Sequence, residues 1–149
     1  MAVQRPNKNP YSAFNFIVEI DGDQIAAFQE VSGLDSENTP IEYREGADAT
    51  NSVRKLPGIE KYPPLVLKRG ITGSLALANL RKEVRDGSTA FPPTRNVSVI
   101  LLNEQHQPVY KWKLTNAWCS KLTGPSLNAK GNEIAIETME LAHDRIDIE

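Results

Sequence analysis

Cysteine and histidine are nearly absent from this chain of 149 residues. The single cysteine, Cys119, excludes an internal disulfide and a cysteine metal cluster within one chain. His106 sits in a polar turn, NEQHQP, and reads as a surface residue. His143 follows an apolar run beside Asp144 and reads as the charged surface end of a strand. Neither has a second histidine or cysteine at ligand spacing, so metal binding and base catalysis lack their residues. Long apolar runs are missing too. No stretch approaches the roughly 18 residues of a membrane span, and the opening MAVQRPNKNPYSAF lacks the apolar core of a secretory signal. Synthesis in the cytosol without membrane insertion is the expectation. Gly70 and Gly73 are not followed by Gly-Lys-Ser/Thr, so they form no phosphate loop. Asp21-Gly22-Asp23 lacks the remaining ligands of a calcium loop and reads as a hairpin turn. Asn96-Val97-Ser98 matches a glycosylation sequon but falls in a predicted strand. With no paired acid, base, nucleophile or metal set, an enzyme is not supported and no cofactor is expected.

What is present is the composition of one soluble domain, 40% hydrophobic and 24% charged. The net charge of −2 conceals an uneven spread. Residues 1–43 carry two Lys/Arg against seven Asp/Glu, and residues 132–149 carry one against six. Between them, residues 44–69 carry six against three and residues 70–131 eight against three. Acidic ends around a basic middle suit surfaces that complement one another head to tail. Specific nucleic-acid binding, which favours a net basic domain, is not indicated.

Most of the chain reads as β. Phe14, Phe16, Val18 and Ile20 alternate with Asn15, Ile17 and Glu19, the period of a half-buried strand, and Asp21-Gly22 turns it. A second strand is expected from Ile25 to Val31, an extended piece at Ile41–Tyr43, and a strand over Pro64–Arg69. Asn96–Leu102 reads as a buried strand, and Val109–Cys119 alternates Tyr110, Trp112 and Leu114 with Lys111, Lys113 and Thr115. A last strand over Glu133–His143 changes phase near Thr138, which suggests a bulge there. One helix is predicted at about 74–86, with Leu77, Leu80 and Val84 on its buried face, Thr72 or Ser74 as cap, and Gly87 as stop. The fold class is therefore mainly β, an antiparallel sandwich or barrel with one α-helix. Cys119, inside a strand, reads as a small buried hydrophobe.

The segment from Tyr43 to Gly70 fits this scheme least. For about its first twenty residues it suits neither helix nor strand, being broken by Gly46, Pro57, Gly58, Pro63 and Pro64. Structureless connections of that length are uncommon inside compact domains and are usually functional or disordered. Its apolar Val53, Leu56, Ile59 and Tyr62 mark an extended arm, about 44–62, that packs against something. Either it reaches another molecule or it folds over its own domain. Arg44, Arg54, Lys55, Lys68 and Arg69 are expected to make charged contacts to a protein surface.

Taken in order, the motifs form a pattern that resembles the tail tube proteins of contractile phages and phage-like contractile injection systems. The likeness runs through Asn9-Pro10-Tyr11-Ser12-Ala13-Phe14, Phe28-Gln29-Glu30-Val31-Ser32-Gly33-Leu34 and Ile41-Glu42-Tyr43-Arg44-Glu45-Gly46. It continues in Arg54-Lys55-Leu56-Pro57-Gly58, Leu67-Lys68-Arg69-Gly70-Ile71-Thr72-Gly73, Val84-Arg85-Asp86-Gly87, Trp118-Cys119-Ser120-Lys121 and Glu137-Thr138-Met139-Glu140-Leu141. The resemblance covers nearly the whole chain and implies a single tail-tube domain over residues 1–149. It implies the fold shared with the haemolysin-coregulated tube protein of type VI secretion. Hexameric rings would stack into a rigid hollow tube inside a contractile sheath, with baseplate, spike and terminator proteins at its ends. A tape-measure protein, effector cargo or DNA would occupy the lumen. The subunit would be made in the bacterial cytoplasm and become part of an assembled particle, a phage tail or an injection system, either released from the cell or anchored to it. The arm, with Arg44, Val53, Arg54, Lys55, Leu56, Ile59, Tyr62, Lys68 and Arg69, would then contact neighbouring subunits or rings. The rival reading is a β-sandwich binding or adhesin module that does not assemble.

Overall fold

The computed structural model describes residues 2–25, 28–87 and 93–149. Ten strands and one helix follow the chain: β1 Phe16–Ile20, β2 Asp23–Ile25, β3 Glu30–Ser32, β4 Glu37–Tyr43, β5 Arg54–Lys61, β6 Leu65–Gly70, α1 Ala76–Arg85, β7 Arg95–Leu102, β8 Pro108–Thr123, β9 Ile136–Ala142 and β10 Arg145–Ile148. Every pairing is antiparallel. Eight strands form one curled sheet in the order β2-β1-β7-β8-β9-β6-β3, with β10 paired to β8. The two others, β4 and β5, pair only with each other.

The long strand β8 makes this curvature possible. Its first half pairs with β7 and β10, and its second half with β9. Between the halves the inward face moves from Leu114 to Ala117, and Asn116 takes φ 55°. That bulge lets one strand turn the corner of the barrel while keeping an apolar residue inward on each side. A second register shift falls at Ser120, opposite β9. The expected bulge near Thr138 is therefore on the partner strand, and β9 runs in unbroken register with β6. The apparent phase change arose because Ile134 precedes the strand and lies 81% exposed.

Alternation holds where it was expected in β1, since Val18 and Ile20 are buried, but Phe14 lies outside the strand and is 73% exposed. Asp21 and Gly22 both have positive φ, 52° and 86°, as a two-residue type I′ turn demands. The strand expected over Ile25–Val31 is two strands, because β2 pairs with β1 and β3 with β6. Ala26 and Ala27 lie outside the described residues. A last strand, β10, follows His143; four residues gave too short a pattern to read.

Inward residues of five strands, among them Val18, Leu65, Leu67, Val97, Leu114, Met139 and Leu141, make one core with Leu77 of the helix. The helix starts later than expected and without a side-chain cap; Ser74 Oγ stays 3.5 Å from the Ala76 amide. Arg81 donates to the Cys119 carbonyl at 3.2 Å and ties the helix to β8. Arg95 joins Glu83 of the helix to Asp21 of the first turn, at 2.6 and 2.8 Å.

Candidate functional site

The arm is not structureless. Its second half is β5, which folds back on β4 to make a two-stranded hairpin whose tip spans residues 44–53. Pro57 and Gly58, read as strand breakers, sit at an irregularity that accommodates them. Pro57 lies opposite Pro40, and the register shifts between Asn38 and Pro40. At Gly58 a Cβ would stand 2.2 Å from the Thr39 carbonyl oxygen, so only glycine allows the strands to close there. The hairpin root is equally tight. Gly33, at φ 90°, passes the Pro64 carbonyl so closely that a Cβ would meet it at 2.3 Å.

Cross-strand register sorts the hairpin into two faces. Ile41 pairs with Leu56, and Tyr43 with Arg54; between them on the opposite face, Glu42 pairs with Lys55. One face is therefore largely apolar and the other charged. Ile41, Tyr43, Val53, Leu56 and Ile59 are all exposed, Ile59 by 80%. The hairpin does not fold over its own domain. Polar bonds shape its tip: Arg54 meets Asp48 at 2.6 Å, Asp48 accepts from the Glu45 amide at 3.0 Å, and Arg44 donates to the Thr50 carbonyl at 3.2 Å. Arg44 and Arg54 thus serve the turn itself as well as its surface.

The root is anchored to the barrel by a residue expected at the surface. His143 is half-buried; its Nε2 lies 3.1 Å from the Pro63 carbonyl and its ring 5.7 Å from that of Tyr62. Burial lowers its pKa below the usual histidine value, against the smaller opposing pull of the Pro63 carbonyl and Asp144. Tyr62 itself is half-buried and donates to Glu60 at 3.0 Å.

Lys68 is half-buried and stands 3.7 Å from Glu30 across the β3–β6 pair. Arg69 corrects the expectation of a surface contact. It points into the end of the barrel, 2% exposed, bonded to its cross-strand partner Glu137 at 2.5 Å and to the Ser74 carbonyl at 2.8 Å. Alternation along β6 with Leu65 and Leu67 could have signalled this, although the partner acid becomes visible only with the register.

Cys119 is buried and its thiol is pushed up by burial, the reverse of an activated nucleophile. Among the described residues no group of three or more His, Cys, Asp or Glu could hold a metal. A hollow of about 670 Å³ between the leader and the 103–108 turn is an open trough lined by residues such as Arg5, Tyr11 and Glu104. Among the described residues, no helix is long and apolar enough to cross a membrane.

A hairpin with one largely apolar, exposed face thus projects from a curled antiparallel sheet, and comparison with known proteins identifies the family. The profile of the T4-like virus tail tube protein gp19 matches residues 12–147. The chain belongs to that family. Its tube-subunit function and its barrel are those of a contractile tail tube protein. It is similar to a chain in the anti-feeding prophage tube-terminating cap, at 30% identity and TM-score 0.82, covering 100% of this chain and 94% of that one. It is also similar to a chain in the sheath–tube complex of the extracellular contractile injection system PVC, at 27% identity and TM-score 0.81, covering 94% and 91%. Hcp1 from Flavobacterium johnsoniae shares the fold at 14% identity and TM-score 0.60, covering 91% and 94%. No curated protein matches the sequence. The non-assembling adhesin reading is not favoured by these relatives.

Proposed function

We propose that residues 1–149 act as a single tube domain, six copies of which close into a ring, and that rings stack into a hollow tube inside a contractile sheath. The observation that carries this reading is the hairpin β4–β5, whose apolar face is exposed and pairs with no other strand among the described residues. Burying Ile41, Val53, Leu56 and Ile59 against other subunits would contribute several kcal/mol per subunit at about 25 cal/mol per Å², before the cost of ordering is subtracted. The curled sheet supplies the lateral contacts. Its end strands β2 and β3 and the added strand β10 each have a side without a strand partner among the described residues. Such edges favour pairing with another copy, and head-to-tail contacts of that kind close into rings or grow into filaments.

On this reading Arg44, Val53, Arg54, Lys55, Leu56, Ile59, Tyr62 and Lys68 belong to contacts between subunits, while Arg69 holds its own barrel together. Baseplate and terminator proteins cap the tube and sheath surrounds it. A tape-measure protein, effector or DNA passes along the lumen after contraction. Synthesis takes place in the bacterial cytoplasm, and the tube becomes part of an assembled particle. The protein has a structural rather than catalytic role. Removing residues 47–60, which deletes most of β5 and the tip, should leave a folded monomer without tubes. Normal tubes from that variant in electron micrographs would refute the assigned role of the hairpin.

A further inference from the structure

Residues 3–11 close into a loop around one side chain. Arg5 is half-buried, while residues 2–4 and 6–10 are exposed. Its guanidinium donates to the Pro10 carbonyl at 3.2 Å, lies 4.4 Å from the centre of the Tyr11 ring and pairs with Glu104 in the turn between β7 and β8. Tyr11 donates to the Val3 carbonyl at 2.9 Å, and Lys8 makes the bend with φ 58°. Among the described residues, the polar ties of this loop to the barrel are the Glu104 pair and one backbone bond, from the Val3 amide to the Val109 carbonyl at 2.8 Å.

That backbone bond shows what the loop sits on. Glu149 bonds Lys111 through both its amide and its carbonyl, so β10 and the residue after it fill the lane beside β8 as far as Lys111. Every second residue of a strand faces the same neighbour, which puts the Val109 carbonyl in that same lane. β10 and the leader therefore share one edge of β8, the leader standing in for a strand one step past Glu149. Leu102 and Val109 at this edge are 9% and 3% exposed, yet neither belongs to the main core. Val3 and Val109 both line the open trough of about 670 Å³, so the leader bridges the hollow without filling it.

We propose that the leader is a strap that shuts this edge in the free subunit and is displaced when another copy of the chain takes its place beside Val109, with Arg5 as its clasp. The bonds suit that use. An exposed ion pair and a cation–π contact are each weak in water, and a strand pairing over several residues outcompetes a single amide. An uncovered strand edge is a ready template for a second chain. Displacement leaves the Val109 carbonyl and the apolar Leu102 and Val109 in need of cover, which the second copy supplies. Ala13 and Phe14, exposed between the loop and β1, leave the pivot free of packing. The inference rests on the tube reading and adds a control over when subunits join.

Amide exchange and tube growth test it together. In Arg5→Ala, which loses the ion pair and the ring contact at once, exchange at the Val3 amide should rise about 3–10-fold. The lag before tubes appear in light scattering should shorten in the same variant. Arg5→Glu with Glu104→Arg should bring the lag back toward wild type. Arg5→Cys with Glu104→Cys, bridged in the full chain by a reducible bismaleimide, should give no tubes until the bridge is reduced; buried Cys119 stays out of the reaction. Bridged subunits that grow tubes as fast as reduced ones, or Arg5→Ala tubes that start no sooner than wild type, would overturn the strap while leaving the tube reading standing. Wild-type, Arg5→Ala and reduced samples that all form neither rings nor tubes would overturn the tube reading itself, and the strap's role with it.

Discussion

Substituting Gly58 by alanine is expected to abolish tube formation while barely changing the melting temperature of the subunit. The added methyl would lie 2.2 Å from the Thr39 carbonyl oxygen and 3.2 Å from Ile41 Cγ1. The first neighbour is backbone, so β4 and β5 must separate around the Pro40–Pro57 step. Each backbone hydrogen bond lost there is worth about 0.5–1.5 kcal/mol net, and an isolated two-stranded hairpin is marginally stable at best. The hairpin therefore opens. Because neither strand packs into the core, the barrel should lose at most about 1 kcal/mol, or roughly 2–4 °C in Tm. Leu114→Ala supplies the contrast, since a fully buried leucine costs about 2–5 kcal/mol when truncated and Leu114 is among the largest buried side chains. Thermal melts followed by circular dichroism, alongside negative-stain images of the same samples, measure both quantities. A melting temperature lowered as far as in Leu114→Ala would show that the hairpin supports the fold. Normal tubes from Gly58→Ala would show that assembly does not need it. Either result refutes the reasoning.

Three further outcomes follow from the geometry. Arg69→Met should destabilise the subunit by about 3 kcal/mol in urea unfolding, the low end for a broken buried pair, because Glu137 would be left as a half-buried carboxylate without its partner. Arg69→Met with Glu137→Met should recover much of that loss. The His143 anchor should weaken in acid: its folded pKa lies below the ordinary value of 6.5, so the unfolded chain binds the proton more readily. Its contribution is present above that value and is lost as pH falls through the lowered folded pKa. Hydrogen exchange at the Tyr62 and Leu65 amides, which flank Pro63 and Pro64, should therefore rise in acid in the wild type and respond less to pH in His143→Gln. The Cys119 thiol should resist Ellman's reagent in the native subunit at neutral pH and react only after unfolding, as its burial and raised pKa require.

How much of this was legible in the sequence depended on whether a signal was local. Period-two alternation located β1 and the body of β8, short apolar runs located β6 and β7, and the spacing of Leu77, Leu80 and Val84 located the helix, because each depends on neighbours a few residues away. The hairpin was hidden by Pro57 and Gly58. Both argue against a strand, and only the opposite strand, with Pro40 and Thr39 in register, shows how they fit. Residues 44–62 therefore looked like an extended arm, although their exposed apolar side chains were correctly singled out as unusual. Arg69 and His143 were misplaced for a related reason. Their partners, Glu137 and Pro63, lie 68 and 80 residues away, and no local pattern indicates that a strand-end cation or imidazole is turned inward.

The central claim is that the hairpin completes a tube by burying its apolar face on other copies of the chain. A cryo-EM reconstruction of assemblies grown from the purified protein tests it most directly. The account predicts sixfold rings stacked head to tail, with Ile41, Leu56 and Ile59 covered by residues of another subunit. Stacked rings whose hairpins project into solvent, or a protein that remains monomeric at assembly concentrations, would contradict it.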